Sequence, residues 1–160
     1  MFGESMSGYL RFIRFAWLLL LVAAIGRLIL GARGVPYQEG TWFFSMVMLA
    51  NHLCLFYGAF SKKFKGYRLP QAMVLGALIA MSAQVIILVL TVASYALGAD
   101  TYFNHPFAIA RVTESVPFSA ALTARLGGLL ANSIIGSIGG MLGWLAGGLI
   151  PDAVGGRASE

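Results

Sequence analysis

An unbroken stretch without charged side chains constrains this sequence more than any other feature. Residues 69–99 form a run of thirty-one uncharged residues. A helix needs roughly 20 predominantly apolar residues to cross the hydrocarbon core of a bilayer. Residues 41–60 and 126–151 form two further uncharged runs, of twenty and twenty-six residues. The sequence therefore predicts a helical integral membrane protein.

The composition agrees with this prediction. Of the 160 residues, 59% are hydrophobic and 11% are charged, whereas soluble domains carry about 25% charged residues. A fourth apolar run, residues 15–26, is flanked by Arg14 and Arg27. This run is long enough to span if Arg27 extends its side chain toward the nearer membrane surface.

We predict a single all-α membrane domain over residues 1–160, built as a bundle of four transmembrane helices. The predicted spans are about 12–31, 41–60, 70–98 and 125–150. The loop between the third and fourth spans, residues 98–124, carries several aromatic residues and alternates apolar with polar positions. This pattern predicts a loop that lies on the membrane surface.

Basic residues predict the orientation of the bundle. Lys62, Lys63, Lys65 and Arg68 lie together between the second and third spans. Short loops rich in lysine and arginine stay on the cytoplasmic side. An even number of spans then places both termini in the cytoplasm, in a bacterial-type inner membrane. The same four side chains can also contact anionic lipid headgroups.

The fourth span contains two ladders of small residues. Gly136 and Gly140 form one ladder, and Gly139, Gly143 and Gly147 form the other. Small residues at this spacing allow another helix backbone to approach closely. We expect these ladders to pack against the first three spans. The alternative is that one ladder binds a membrane-protein partner or a second copy of the chain.

Five polar residues inside the predicted spans are candidates for a shared layer. By depth, Asn51, His52 and Gln84 lie near the midplane, with Arg27 and Asn132 about 9 Å nearer the outer surface. Polar side chains within a bundle usually face inward and pair. We therefore expect a buried polar layer.

His52 has three possible roles in such a layer. It can clamp helices together as a neutral imidazole bonded to Gln84 or to a backbone carbonyl, which is the interpretation we favour. It can be the axial ligand of a haem or chlorophyll-type pigment. It can also lie on a proton or solute path, although all six acidic residues fall in loops or termini, and proton-coupled transporters usually carry carboxylates within the membrane.

The side chain of Arg27 has two possible roles. Without a carboxylate partner it can reach lipid phosphate, which we favour, or it can attract an anionic substrate.

No motif of enzymatic catalysis is present. The sequence has no phosphate-binding glycine loop, HExxH, CxxC or serine nucleophile elbow. We predict no catalytic residues, no metal site and no nucleic-acid partner. We expect an accessory or assembly subunit of a membrane complex, or a homo-oligomer packed through the fourth span. The alternatives are a small-solute or ion transporter using the His52 and Gln84 layer, and a pigment-binding subunit.

Overall fold

The computed structural model describes residues 5–149. Within them it contains seven helices: α1 (Met6–Phe12), α2 (Arg14–Ala32), α3 (Tyr37–Gly40), α4 (Met46–Lys65), α5 (Leu69–Leu97), α6 (Pro106–Ala110) and α7 (Phe118–Gly147). No strand occurs in this part of the chain, and the predicted all-α class is confirmed. The predicted end of the fourth span at residue 150 and the basic Arg157 lie outside the described residues.

Four long helices form the body of the molecule, and three of them have the character of membrane spans. α2, α5 and α7 are long and apolar enough to cross a membrane, so the predicted membrane character is supported. α4 has 20 residues and is about 30 Å long, but it contains Asn51, His52 and three lysines. These polar residues set it apart from the other three.

Consecutive long helices run in opposite directions, so the molecule has two distinct ends. Residues 33–45 and 98–117, with the short helices α3 and α6, lie at one end, which we call the loop end. α1 and the basic residues Lys62, Lys63, Lys65 and Arg68 lie at the other, which we call the lysine end. There Tyr9 of α1 meets Tyr67, with ring centroids 5.7 Å apart.

Local signals explain where the long helices begin and end. Ser45 accepts a hydrogen bond from the backbone N–H of Met48, so α4 begins at Met46 and not at residue 41. α4 and α5 are each followed by a glycine with positive φ, Gly66 at 64° and Gly98 at 60°. That conformation costs glycine little and is common just after a helix.

α7 packs against α5 and α4 through both glycine ladders. A Cβ atom on Gly136 or Gly140 would overlap the backbone of α5 at Gly76 or Ala72, and one on Gly143 would overlap the carbonyl of Leu55 in α4. A Cβ atom on Gly139 would lie 3.0 Å from Cys54 Cβ, and one on Gly147 would lie 2.7 Å from Ala59 O. Both ladders therefore serve packing within this chain.

The loop between α5 and α7 folds into the end of the bundle. Tyr102 and Phe103 are 3% and 1% exposed, whereas a surface-lying loop was expected. The Tyr102 hydroxyl donates hydrogen bonds to the carbonyls of Val35 and Pro36, at 2.8 and 3.2 Å. Because these two aromatic rings enter the bundle, the loop closes the space between the ends of α2, α4 and α7.

Candidate functional site

The predicted polar layer does not assemble around His52. Its side chain is exposed, because Leu53, Cys54 and Tyr57 occupy the inner face of α4. Its Nδ1 lies 2.7 Å from the carbonyl oxygen of Met48, one turn earlier, and donates to it. The adjacent Asn51 is half-buried. His52 therefore faces away from the helices that it was expected to join.

Two of the five predicted residues do come together. Gln84 of α5 is 5% exposed, and Asn132 of α7 is half-buried. A Cβ atom on Gly128 would lie 3.5 Å from Gln84 Oε1 and 3.9 Å from Asn132 Nδ2. Asn132 Nδ2 donates to the carbonyl of Gly128 at 2.8 Å. Both side chains therefore lie beside Gly128, where α5 meets α7.

Arg27 lies elsewhere, at the loop end of α2. The side chain is 8% exposed. Its guanidinium carbon lies 5.7 Å from the ring centroid of Tyr37, 5.4 Å from that of Tyr102 and 5.7 Å from that of Phe103. Within residues 5–149 no oxygen accepts a hydrogen bond from it and no carboxylate pairs with it. Arg27 is thus a largely buried cation that lies among aromatic rings, and its guanidinium nitrogens open into a cavity.

Arg27 faces a cavity that contains two further arginines. The cavity has a volume of about 370 Å³. Arg111, at the end of α6, and Arg125, in the second turn of α7, also line it. The remaining lining residues are mostly aromatic and apolar: Tyr37, Thr41, Trp42, Ser45, Met46, Val47, Met48, Ile87, Tyr102, Phe103 and Ala108. We call this cavity the arginine pocket.

Arg125 is held in place by neutral oxygen atoms. Its Nε donates to Thr91 Oγ1 at 3.1 Å, its Nη2 to the carbonyl of Phe103 at 2.7 Å and its Nη1 to the carbonyl of Ala108 at 3.3 Å. These bonds tie α7 to α5 and to the loop that forms the wall of the pocket. Since no acceptor is charged, the positive charge of Arg125 is not neutralised by them.

Arg111 is positioned by an unusual backbone conformation. Its φ of 60° is the only positive φ of a non-glycine residue in the described part of the chain. A left-handed conformation is uncommon for a side chain without a short polar group. It ends α6 and places the guanidinium 5.1 Å from the ring centroid of Phe107. Arg111 is exposed, so it forms the outer rim of the pocket.

No carboxylate in the described part of the chain lines the pocket beside these three charges. The acidic residues in the described part of the chain are Glu39, Asp100 and Glu114, and none lines the pocket or forms an ion pair there. Burial raises the pKa of Tyr102, although the nearby Arg27 opposes this effect and Glu39 adds to it. The Tyr102 hydroxyl therefore stays neutral and cannot neutralise an arginine.

His105 supports the aromatic wall of the pocket. Its ring stacks on Tyr37 with centroids 4.6 Å apart and planes inclined by 13°. Its Nδ1 accepts a hydrogen bond from the backbone N–H of Phe107 at 3.2 Å, which caps α6. Burial lowers the pKa of His105. The ring is therefore neutral at pH 7, as a hydrogen-bond acceptor must be.

The four basic residues of the lysine end have different environments. Lys62 Nζ lies 3.8 Å from the ring centroid of Trp144, and Lys65 Nζ lies 5.6 Å from that of Phe12. The backbone N–H of Arg68 donates to Gln71 Oε1 at the start of α5, at 2.6 Å. Lys63 lies beside them near the end of α4. The cluster thus lies at the end of α4 and the start of α5, and two of its lysines contact aromatic rings.

The sequence alone identified only one residue of the arginine pocket. Arg27 stood out as a cation within an apolar run, whereas Arg111 falls in the predicted loop 98–124 and Arg125 is the first residue of the predicted fourth span. One signal was available: Arg125 falls eight residues after Pro117, and therefore within a helix that begins there. Within residues 5–149 no three potential ligands among His, Cys, Asp and Glu come together to hold a metal ion.

Comparisons with protein-family models, with curated proteins and with solved structures find no match to this chain. The chemistry of the arginine pocket is therefore the basis for a functional assignment.

Proposed function

We propose that this protein is a membrane protein that binds an anionic ligand in the arginine pocket. One observation carries the proposal: Arg27 is 8% exposed and has no hydrogen-bond acceptor or carboxylate within residues 5–149. A buried charge is costly unless it is paired. A bound anion would supply the partner that the described chain does not.

The other two arginines suit the same ligand. A guanidinium group presents several N–H donors in a fixed plane and binds carboxylate or phosphate oxygens in pairs. Arg125 is already oriented by three neutral acceptors, and Arg111 lies at the rim. Three cations around one cavity favour an anion with several oxygen atoms over a halide ion.

The position of the pocket suits access from a membrane surface. Trp42 and Phe43, at the loop end just before α4, are 71% and 77% exposed. Exposed aromatic side chains are enriched at the boundary between the bilayer and water. In our proposal α4 crosses the membrane together with α2, α5 and α7, the lysine end is cytoplasmic with both termini, and the pocket opens on the outer side of a bacterial-type inner membrane.

Binding accounts for the geometry better than the functions expected from the sequence. The glycine ladders face α4 and α5 of the same chain, so an assembly subunit would have to use other surfaces. His52 is exposed on α4 and gives a pigment no enclosed site. Below the pocket the bundle is filled by apolar side chains such as Leu20, Leu53 and Ile79. We therefore propose binding, without a continuous path for transport.

The proposal is tested by titrating the purified protein with inorganic phosphate in a nonionic detergent. We expect isothermal titration calorimetry to detect saturable binding to the wild type. Arg27→Gln should weaken it by about 10-fold to 100-fold, since a hydrogen bond to a charged group contributes about 1.5–3 kcal/mol. The control is Arg33→Gln, which removes the same charge from an exposed position outside the pocket. Equal weakening by both variants would contradict a specific site.

A further inference from the structure

An apolar groove lies beside the arginine pocket. It runs between α2 and α4 and has a volume of about 320 Å³. Leu19, Val22 and Ala23 of α2 form one side, and Leu49 of α4 lies on the other. None of these four residues has a polar side chain. Apart from Ser45 and Trp42, the residues that line the groove have apolar side chains, so it can hold an apolar group.

The groove and the arginine pocket are neighbours. Trp42, Ser45 and Met48 line both of them. Trp42 and Ser45 belong to the segment before α4 and Met48 to its first turn, so the start of α4 forms the boundary between the two spaces. A ligand that extends along this boundary would contact the arginines at one end and the α2 side chains at the other.

The groove leads from the arginines toward the middle of the bundle. Along α2, Val22 and Leu19 precede Arg27 by five and eight residues, which is roughly 8 and 12 Å at the rise of an α-helix. A lipid follows the same course in a bilayer, with its charged group at the surface and its chain directed inward. Each space falls within the range of about 300–1,000 Å³ that is usual for ligand sites.

The charges in the pocket restrict the head of such a ligand. Zwitterionic lipid headgroups carry an ammonium group beside their phosphate. No acidic residue of the described chain lines the pocket or the groove. Arg27, Arg111 and Arg125 would repel an ammonium group and would attract a phosphate that carries no cation.

We propose that the ligand of the arginine pocket is an anionic amphiphile, with a phosphate monoester as its head and an apolar chain in the α2–α4 groove. This proposal rests on the proposed function, because the head binds through the same three arginines. It adds that the ligand is a lipid-like molecule and not free phosphate.

The test compares inorganic phosphate with methyl, butyl and octyl phosphate on the full chain in one detergent. We expect the affinity to rise with chain length, by up to about fourfold for each methylene group that enters the groove, which corresponds to about 0.8 kcal/mol. Val22→Trp fills the groove from an exposed position, as Val22 is 53% exposed. It should abolish the gain with chain length and leave the affinity for inorganic phosphate unchanged.

Leu21→Trp is the matched control, because Leu21 is 49% exposed on the same helix and lines neither space. Leu21→Trp should retain the full increase in affinity with chain length. This result would separate binding in the groove from partition of the alkyl chain into the micelle. If octyl phosphate binds no more tightly than methyl phosphate, or if Val22→Trp keeps the gain, the amphiphile proposal is wrong while anion binding stands. If Arg27→Gln leaves all four affinities unchanged, the proposed function itself is wrong.

Discussion

A neutral imidazole at position 105 holds together the loop that forms the arginine pocket. Protonation of His105 Nδ1 would remove the acceptor of the bond from Phe107 N–H. It would also place a positive charge against the ring of Tyr37, which already faces Arg27. Since burial lowers the pKa of His105, the folded protein binds a proton less readily than the unfolded chain, whose histidines titrate near about 6.5.

This difference predicts that acid destabilises the protein. A group with a lowered folded pKa contributes stability above its unfolded pKa, and that stability is lost as the pH falls through 6.5 toward the folded value. We expect the midpoint of thermal unfolding in detergent to be constant between pH 8 and 7 and to decrease between pH 6.5 and 5. His105→Asn can keep the cap with a side-chain oxygen and should remove most of this decrease.

The chain has one other histidine, so the assignment can be checked directly. His52 is exposed on α4, and its ring bonds to the carbonyl of Met48 in the same helix and not to the loop 98–117. His52→Gln should therefore show the same loss of stability in acid as the wild type. A wild-type loss that persists in His105→Asn and disappears in His52→Gln would contradict the role given to His105.

The fate of the polar residues shows what depth along a helix can and cannot predict. The positions of His52 and Gln84 along their spans placed both near the membrane midplane. Whether they are in contact also depends on how each helix is rotated about its axis. A helix that is apolar on all sides carries no sequence pattern that fixes this rotation, and α5 is nearly of this kind. Gln84 faces inward and His52 outward for reasons of packing, which periodicity alone does not reveal.

At the scale of the helices, the glycines of α7 predict a sharp contrast between two identical substitutions. Gly143→Ala adds a Cβ atom that would overlap the carbonyl of Leu55, whereas Gly127→Ala adds one that meets nothing within 4 Å. Overpacking costs about 1–3 kcal/mol, and alanine is favoured over glycine by about 1 kcal/mol in a helix. We expect Gly143→Ala to destabilise the bundle and Gly127→Ala to preserve or slightly increase its stability.

Unfolding in sodium dodecyl sulfate, followed by far-ultraviolet circular dichroism, measures this contrast. The two proteins differ only in which turn of α7 carries the methyl group, so helix propensity is matched. Equal stability of the two variants would show that α7 does not approach α4 as closely as Gly143 indicates. A lower assembly size for Gly143→Ala, with unchanged stability, would instead support the hypothesis that this ladder binds another subunit.

The ladders themselves were visible in the sequence, and so was their use in close helix packing. The sequence did not identify which helices the ladders contact, because a stripe of small residues fits any backbone that approaches it. Gly76 and Gly58 are the complementary positions on α5 and α4, and each is a single glycine in an otherwise ordinary apolar run. The sequence therefore predicted close packing through the glycine ladders, but it left open whether the helix that packs on them belongs to the same chain.

At the scale of the whole molecule, the arginine pocket is complete only if both connecting loops lie on one side of the membrane. Residues 33–45 supply Tyr37 and Trp42, and residues 98–117 supply Tyr102 and Arg111. If α4 did not cross the bilayer, these two loops would be on opposite sides. The basic residues of the lysine end predicted the orientation from the sequence, but the aromatic contacts between the loops come from the three-dimensional packing.

Single cysteines labelled from one side of the membrane test this arrangement. Cys54 is buried and is the only cysteine, so Cys54→Ala gives a silent background. Gln38→Cys and Thr113→Cys place a thiol at exposed positions in the two loops, and Ser7→Cys places one at the lysine end. We expect a membrane-impermeant maleimide to label the first two in intact spheroplasts and the third only after permeabilisation. Labelling of Gln38→Cys and Thr113→Cys from opposite sides would show that α4 does not cross, and the pocket could not then form in the membrane.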